Sequence, residues 1–184
     1  RLFPRAKYTV LGDINQTIGE TQDLTLYDRI REILNKRRSI TLFLNKSFRC
    51  SYEINTFSRI FTDGTFETES FQRHEAIPTL IGEYTDYDLE RSLLEEIKEL
   101  EENEYSSIAI ICKSMEEARG LYERIKNDIN VQLINQEAEE VASGIMVLPV
   151  YMAKGLEFDA VVVYGVDKES YRTEDDRRLL YIAC

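Results

Sequence analysis

Three cysteines, three prolines, eight glycines and one histidine are all that this 184-residue chain holds of the residues that cross-link, punctuate or ligate. That scarcity excludes several designs. Cys50, Cys112 and Cys184 are odd in number and far apart, with no Cys-x-x-Cys pair and only His74 to join them, so neither a disulfide framework nor a zinc site is expected. Few prolines and glycines, with no repeat and no low-complexity run, leave no linker to divide the chain. The apolar runs stop well short of the roughly 18 residues that a membrane span needs, and no signal peptide heads the sequence. The expectation is a reduced, cytoplasmic protein with no membrane contact and no metal site. Its length suffices to bury a core without staples.

Positive charge is also short, with 23 Lys/Arg against 34 Asp/Glu and a net charge of −11. Phosphate binding rests on positive surface, so this balance argues against tight nucleic-acid binding by the chain as a whole. Much of the acidity is local. Residues 83–104 hold two basic and ten acidic side chains, and Leu89, Leu93, Ile97 and Leu100 recur there near helical spacing. The acids therefore suit the solvated face of an amphipathic helix, with an acidic partner-binding helix as the alternative.

What is present is an alternation of short apolar runs with helical patterns. Strands are expected over 8–11 (YTVL), 40–44 (ITLFL), 78–84 (PTLIGEY), 106–112 (SSIAIIC), 131–134 (VQLI), 145–150 (IMVLPV) and 159–166 (DAVVVYGV). Helices are expected over 23–36, 51–61, the acidic segment, 115–127 and from Thr173 onward, with 62–77 as the longest aperiodic stretch. Strands as uniformly apolar as IAII and AVVV suit a mostly parallel sheet covered by helices on both faces, an α/β doubly wound fold. Ligands in such folds bind where loops leave the carboxyl edge.

Four stretches carry candidate chemistry. VYMAKGLEFDAVVV (150–163) sets Lys154, Gly155 and Glu157 between two apolar runs, giving a flexible backbone beside a positive charge and a hydroxyl acceptor. An ordinary charged turn explains it too. TVLGDINQTI (9–18) ends an apolar run in Gly12 and Asp13 and offers the Gln16 amide, which can position water or sense phosphate; Asp13 and Asn15 also suit a turn or helix cap. LNKSFRCSYEI (44–54) places Arg49 between strand and helix, and DRRLLYIAC (176–184) places Arg177 and Arg178 near a helix start. Arginine is the preferred bidentate clamp for phosphate, although any one of the three fits a solvated surface as well. Lys36, Arg37, Arg38 and Lys46 form a further basic group, either solvated or touching nucleic-acid phosphates.

In this order and spacing the four stretches resemble motifs III, IV, V and the start of VI of UvrD-like superfamily 1 DNA helicases, with AKGLEFD the most specific match. The closest resemblance is to the HelD-like (helicase IV) branch. It implies a RecA-like fold, with residues 1–22 as the last strand and motif III region of a preceding RecA-like domain and 23–184 as the second domain, truncated at motif VI. It also implies that Gln16 contacts the γ-phosphate region, that Arg49 and Arg178 (or Arg177) act as arginine fingers, and that Glu157 holds the ribose. Lys154 and Gly155 would shape the loop that relays nucleotide state to single-stranded DNA, with Lys46 and Tyr151 as further nucleic-acid contacts.

The parent of such a domain uses ATP and magnesium. This chain lacks a G-x-x-x-x-G-K-[ST] phosphate loop, so it is expected to be an inactive fragment of a larger motor that binds no cofactor tightly by itself. Where relatives carry aromatic residues after the motif III glutamine, this chain reads TIGETQDL, and it has Pro149 and Tyr151 where threonine and histidine are common. Weak binding of single strands by the isolated chain is expected. The implied partners are single-stranded DNA through the parent protein and the preceding RecA-like domain of the same chain. The HelD-like branch adds RNA polymerase recycling as an alternative role. A non-catalytic interaction domain that keeps the fold is a third.

Overall fold

A computed structural model describes residues 7–13, 16, 25–34, 39–48, 50–62, 69–70, 72–135 and 143–184. Its centre is a four-stranded parallel sheet of β3 (Ser107–Cys112), β4 (Val131–Leu133), β5 (Gly144–Pro149) and β6 (Ala160–Val163), in the order β4-β5-β3-β6. β3 is paired along both edges, with Ile108 opposite Ile145 on one side and Ala160 on the other. The strand periodicity of two sends alternate residues to opposite faces. Ile108, Ile110, Ile145 and Val147 pack with Leu93 and Ile97 of α3 (Asp86–Glu102) and with Ala118, Leu121 and Ile125 of α4 (Met115–Ile125). Ala109, Ile111, Met146 and Leu148 turn the other way. They meet α5 (Val150–Ala153) through Val150 and Ala153, and α6 (Glu174–Ala183) through Ala183. The sheet is thus an α/β layer with helices on both faces, as the apolar strands predict.

Earlier in the chain lie α1 (Thr25–Leu34), α2 (Tyr52–Ser58) continued by a 3₁₀ turn (Arg59–Phe61), and two two-residue strands, β1 (Lys46–Ser47) and β2 (Glu69–Ser70), paired in parallel. Here the expectation needs correction. Residues 8–11, 40–44 and 78–84 are not strands, and their side chains stand largely in solvent, as at Leu11, Ile40, Leu44 and Leu80. The reason is pairing. An apolar run becomes a strand only when a neighbour takes up its backbone hydrogen bonds, and among the described residues no sheet includes these segments. β2, conversely, falls inside the stretch expected to be aperiodic.

The connections place the site. The chain leaves β3 through α4 toward β4 and β5, then leaves β5 through α5 in the opposite direction, toward β6. The carboxyl ends of β3 and β5 therefore meet where the direction of connection reverses, the position at which open α/β sheets admit ligands. Among the described residues no helix is long and apolar enough to cross a membrane.

Candidate functional site

The turn after β5 resolves the charged interruption in VYMAKGLEFD. Pro149 ends the strand in an extended conformation (φ −77°, ψ 150°), and α5 follows as a single helical turn. Gly155 then takes φ +86°, and the Leu156 N–H returns to the Ala153 carbonyl at 2.9 Å. An added Cβ at Gly155 would meet nothing within 4 Å, so the left-handed backbone, and not crowding, calls for glycine. Leu156 and Phe158 pack into the core face occupied by α5 and α6, whereas Tyr151, Lys154, Gly155 and Glu157 stay exposed. Anchors and exposed polar groups thus alternate along a turn of fixed shape. The Lys154 Nζ donates to the Gln16 backbone carbonyl at 2.9 Å, which joins the first and third, in chain order, of the four candidate stretches. The Gln16 N–H in turn bonds the Asp13 carbonyl at 3.3 Å.

Asp159, the last residue of the same motif, has a different job. Its Oδ2 accepts from the backbone N–H and hydroxyl of both Ser106 and Ser107, at 2.6–3.0 Å. The hydroxyls of Ser106 and Ser107 and the Ser107 N–H hold its carboxyl below the ordinary value. This acid ties the start of β6 to the start of β3, at the amino edge, away from the carboxyl-edge loops.

The start of α6 is fixed more elaborately. Thr173 caps the helix by accepting the Asp176 N–H at 3.1 Å, and Asp176 Oδ2 accepts the N–H groups of Arg172 and Thr173, both at 2.8 Å, a reciprocal capping box. The other oxygen of Asp176 pairs with Lys113 Nζ at 2.6 Å; Lys113 directly follows β3. Burial raises the Asp176 carboxyl, but Lys113 and the capping donors outweigh it and hold the group well below the usual carboxylate range. Lys113 also donates to the Ser170 carbonyl and lies 5.1 Å from the centroid of the Tyr171 ring. Burial first, then nearby acids and Cys112, push the Tyr171 phenol far up.

The expected site residues fall as follows. Arg177 is exposed; Arg178, whose side chain is 15% exposed, pairs with Asp175 at 2.9 Å. α6 packs against α5 and against the 3₁₀ turn. Arg49 and the basic Lys36–Arg38 lie outside the described residues. Beside Arg49, Ser51 is buried and its hydroxyl accepts the Ile54 N–H at 3.3 Å, capping α2. The Cys184 thiol is pushed up to about 11 by burial and by the nearby Cys50. Lys46 is exposed, 5.9 Å from the Phe48 ring centroid. Among the described residues no three His, Cys, Asp or Glu side chains gather to hold a metal ion. Sequence reasoning missed Lys113 and Asp176. The signal for Asp176 was available in the T-E-D-D capping pattern; Lys113 gave only a charge at a strand end.

Comparison with known proteins bears on this same segment. Residues 144–184 match the family model of the UvrD-like helicase C-terminal domain. The match spans β5, the glycine turn, β6 and α6, which together hold Lys154, Glu157, Arg177 and Arg178. The fold as a whole is similar to the crystal structure of the C-terminal domain of a possible DNA helicase from Lactobacillus plantarum WCFS1, with a TM-score of 0.64 and 29% sequence identity over 75% of this chain and 80% of that one. No curated protein matches the sequence. Neither match points to the HelD-like branch.

Proposed function

We propose that this chain is the C-terminal motor portion of an ATP-dependent DNA helicase or translocase. The observation that carries the reading is the junction of Lys154 with the Gln16 carbonyl, in a turn that shares its face of the sheet with α6 and its two arginines. The amide, the guanidinium groups and Glu157 suit one flank of a nucleotide. The phosphate loop that would hold its other flank is absent from the sequence. In this reading residues 1–22 belong to a preceding domain that supplies the loop and the magnesium ligands, and single-stranded DNA runs across both.

Bound ATP would supply the phosphoanhydride bond whose hydrolysis drives movement. The chain's own groups bind and orient. Glu157 would accept from a ribose hydroxyl, and Gln16 would orient water near the terminal phosphate. Arg178, joined by Arg49, would stabilise charge on the transferring group. To reach it, Arg178 exchanges the Asp175 carboxylate for phosphate oxygens.

Steady-state ATPase kinetics of the longer protein test this. Arginine fingers are worth about 10³ to 10⁵ in rate, so Arg178→Ala or Arg49→Ala should lower kcat by that order, while Glu157→Ala chiefly raises KM, because a ribose contact is equal in ground and transition states. The present chain alone should hydrolyse no ATP above background. Arginine variants that keep parental rates would refute the assignment.

A further inference from the structure

Lys113 stands outside every motif, yet it makes three contacts with one short segment. Its ammonium pairs with Asp176 at 2.6 Å, donates to the Ser170 carbonyl and lies 5.1 Å from the Tyr171 ring centroid. Its side chain is 26% exposed and that of Asp176 is 12% exposed, so solvent screens the pair far less than it screens a surface pair. Lys113 follows directly on the carboxyl end of β3, the central strand. Asp176 is the third residue of α6, and Arg177 and Arg178 are the next two. Asp176 Oδ2 is meanwhile occupied by the N–H groups of Arg172 and Thr173. The same carboxylate therefore closes the helix cap with one oxygen and fastens it to the sheet with the other. A lysine directly after the central strand is thus bonded to the first turn of the arginine-bearing helix.

We infer that Lys113 is a positioning residue for the α6 arginines, acting through the Asp176 carboxylate and the Ser170 carbonyl. The inference rests on the proposed role of Arg178 and adds a residue to which that role assigns nothing. Misplacing a reacting group by about 1 Å can cost 10²-fold in rate. Lys113→Met keeps most of the stem but removes the charge that holds Asp176, so the helix start can drift.

The test is a kinetic cycle in the full-length parent. Lys113→Met should lower kcat by about 10²-fold with KM for ATP nearly unchanged, and Lys113→Arg should restore most of the loss. On an Arg178→Ala background, Lys113→Met should cost little more, since the reacting arginine is already gone. A parental rate in Lys113→Met, or an equal loss on both backgrounds, overturns the inference. Hydrogen exchange on the present chain gives a reading independent of turnover. In Lys113→Met the amides of Arg172–Arg178 should lose protection while those of β5 keep theirs. Unchanged protection in α6, or equal loss in β5, also overturns it. Arg178→Ala at the parental rate would instead defeat the arginine assignment; selective loosening of α6 would still show that Lys113 holds the helix.

Discussion

Residues 86–184 and residues 7–84 are built from similar apolar runs and come out differently. Every buried hydrophobic side chain among the described residues lies at or beyond Leu93. Before that point the buried residues are Ser51, Asn55 and Ser58, small and polar, tied by local bonds such as that from the Ser58 hydroxyl to the Asn55 carbonyl at 3.0 Å. Ile40 and Leu44 are 85% and 84% exposed; Ile110, no more apolar, is fully buried. The difference is neighbours. β3 has a strand on each edge and helices over each face, so each of its residues repays its ordering; among the described residues the earlier runs join no sheet. Apolarity nominates a strand, and pairing makes it one.

The difference is largest in the core of the sheet. Ile110→Ala should cost about 2–5 kcal/mol, the range for large-to-small changes in a packed core, whereas Leu42→Ala, at a position 79% exposed, should stay within about 0.5 kcal/mol. Urea midpoints at constant slope measure both. A similar loss for Leu42→Ala would mean that residues 40–44 are packed in solution and that the contrast fails.

A smaller effect sharpens it. Thr173→Ala removes the hydroxyl that caps α6 and should cost about 1 kcal/mol in the same measurement, with the whole core unfolding together. Loss of helix signal before the main transition would show instead that α6 docks independently of the sheet.

The smallest effect belongs to the earlier region. Glu53 accepts the Glu75 N–H at 2.9 Å and pairs with His74 at 2.8 Å, and these two partners lower its carboxyl from 4.5 to about 2. Because the folded value is depressed, the contact contributes stability above the unfolded carboxylate value and loses it as pH falls from about 4.5 toward 2. The Glu53 carboxyl resonance should titrate near 2, and the shift of the Glu75 amide should follow it while β5 amides stay put. A Glu53 midpoint near 4.5 would mean that residues 73–75 do not rest on α2.

How far the sequence could be read follows the same division. β3 to β6, α3, α4 and α6 were legible because periodicity and burial agree there; Leu93, Ile97, Ala118 and Ile125 point inward as their spacing predicts. β1 and β2 were not, since Lys46–Ser47 and Glu69–Ser70 carry no apolar signal and owe their conformation to each other. At the candidate site, the exposed Lys154, Gly155 and Glu157 could be picked out as an interruption between core runs. Asp159, at the end of the same motif, is a structural tie that only the four donors around it reveal. Lys113 and Asp176 are each unremarkable locally, a charge at a strand end and an acid in a first helical turn. Their meaning is a distance, which a sequence does not print.

Lys113 also has a mechanical meaning. The covalent path from β3 to α6 runs through α4, β4, β5, α5 and β6, whereas the ammonium–carboxylate contact spans it in one step. A pull on α6 therefore reaches the middle of the sheet directly, before the intervening loops are drawn taut. β3 is bonded to parallel strands on both sides, so tension along its length loads those ladders in shear, many backbone bonds at once, instead of unzipping them singly. The clasp gives α6 a second attachment to the sheet, independent of the chain that leads to it.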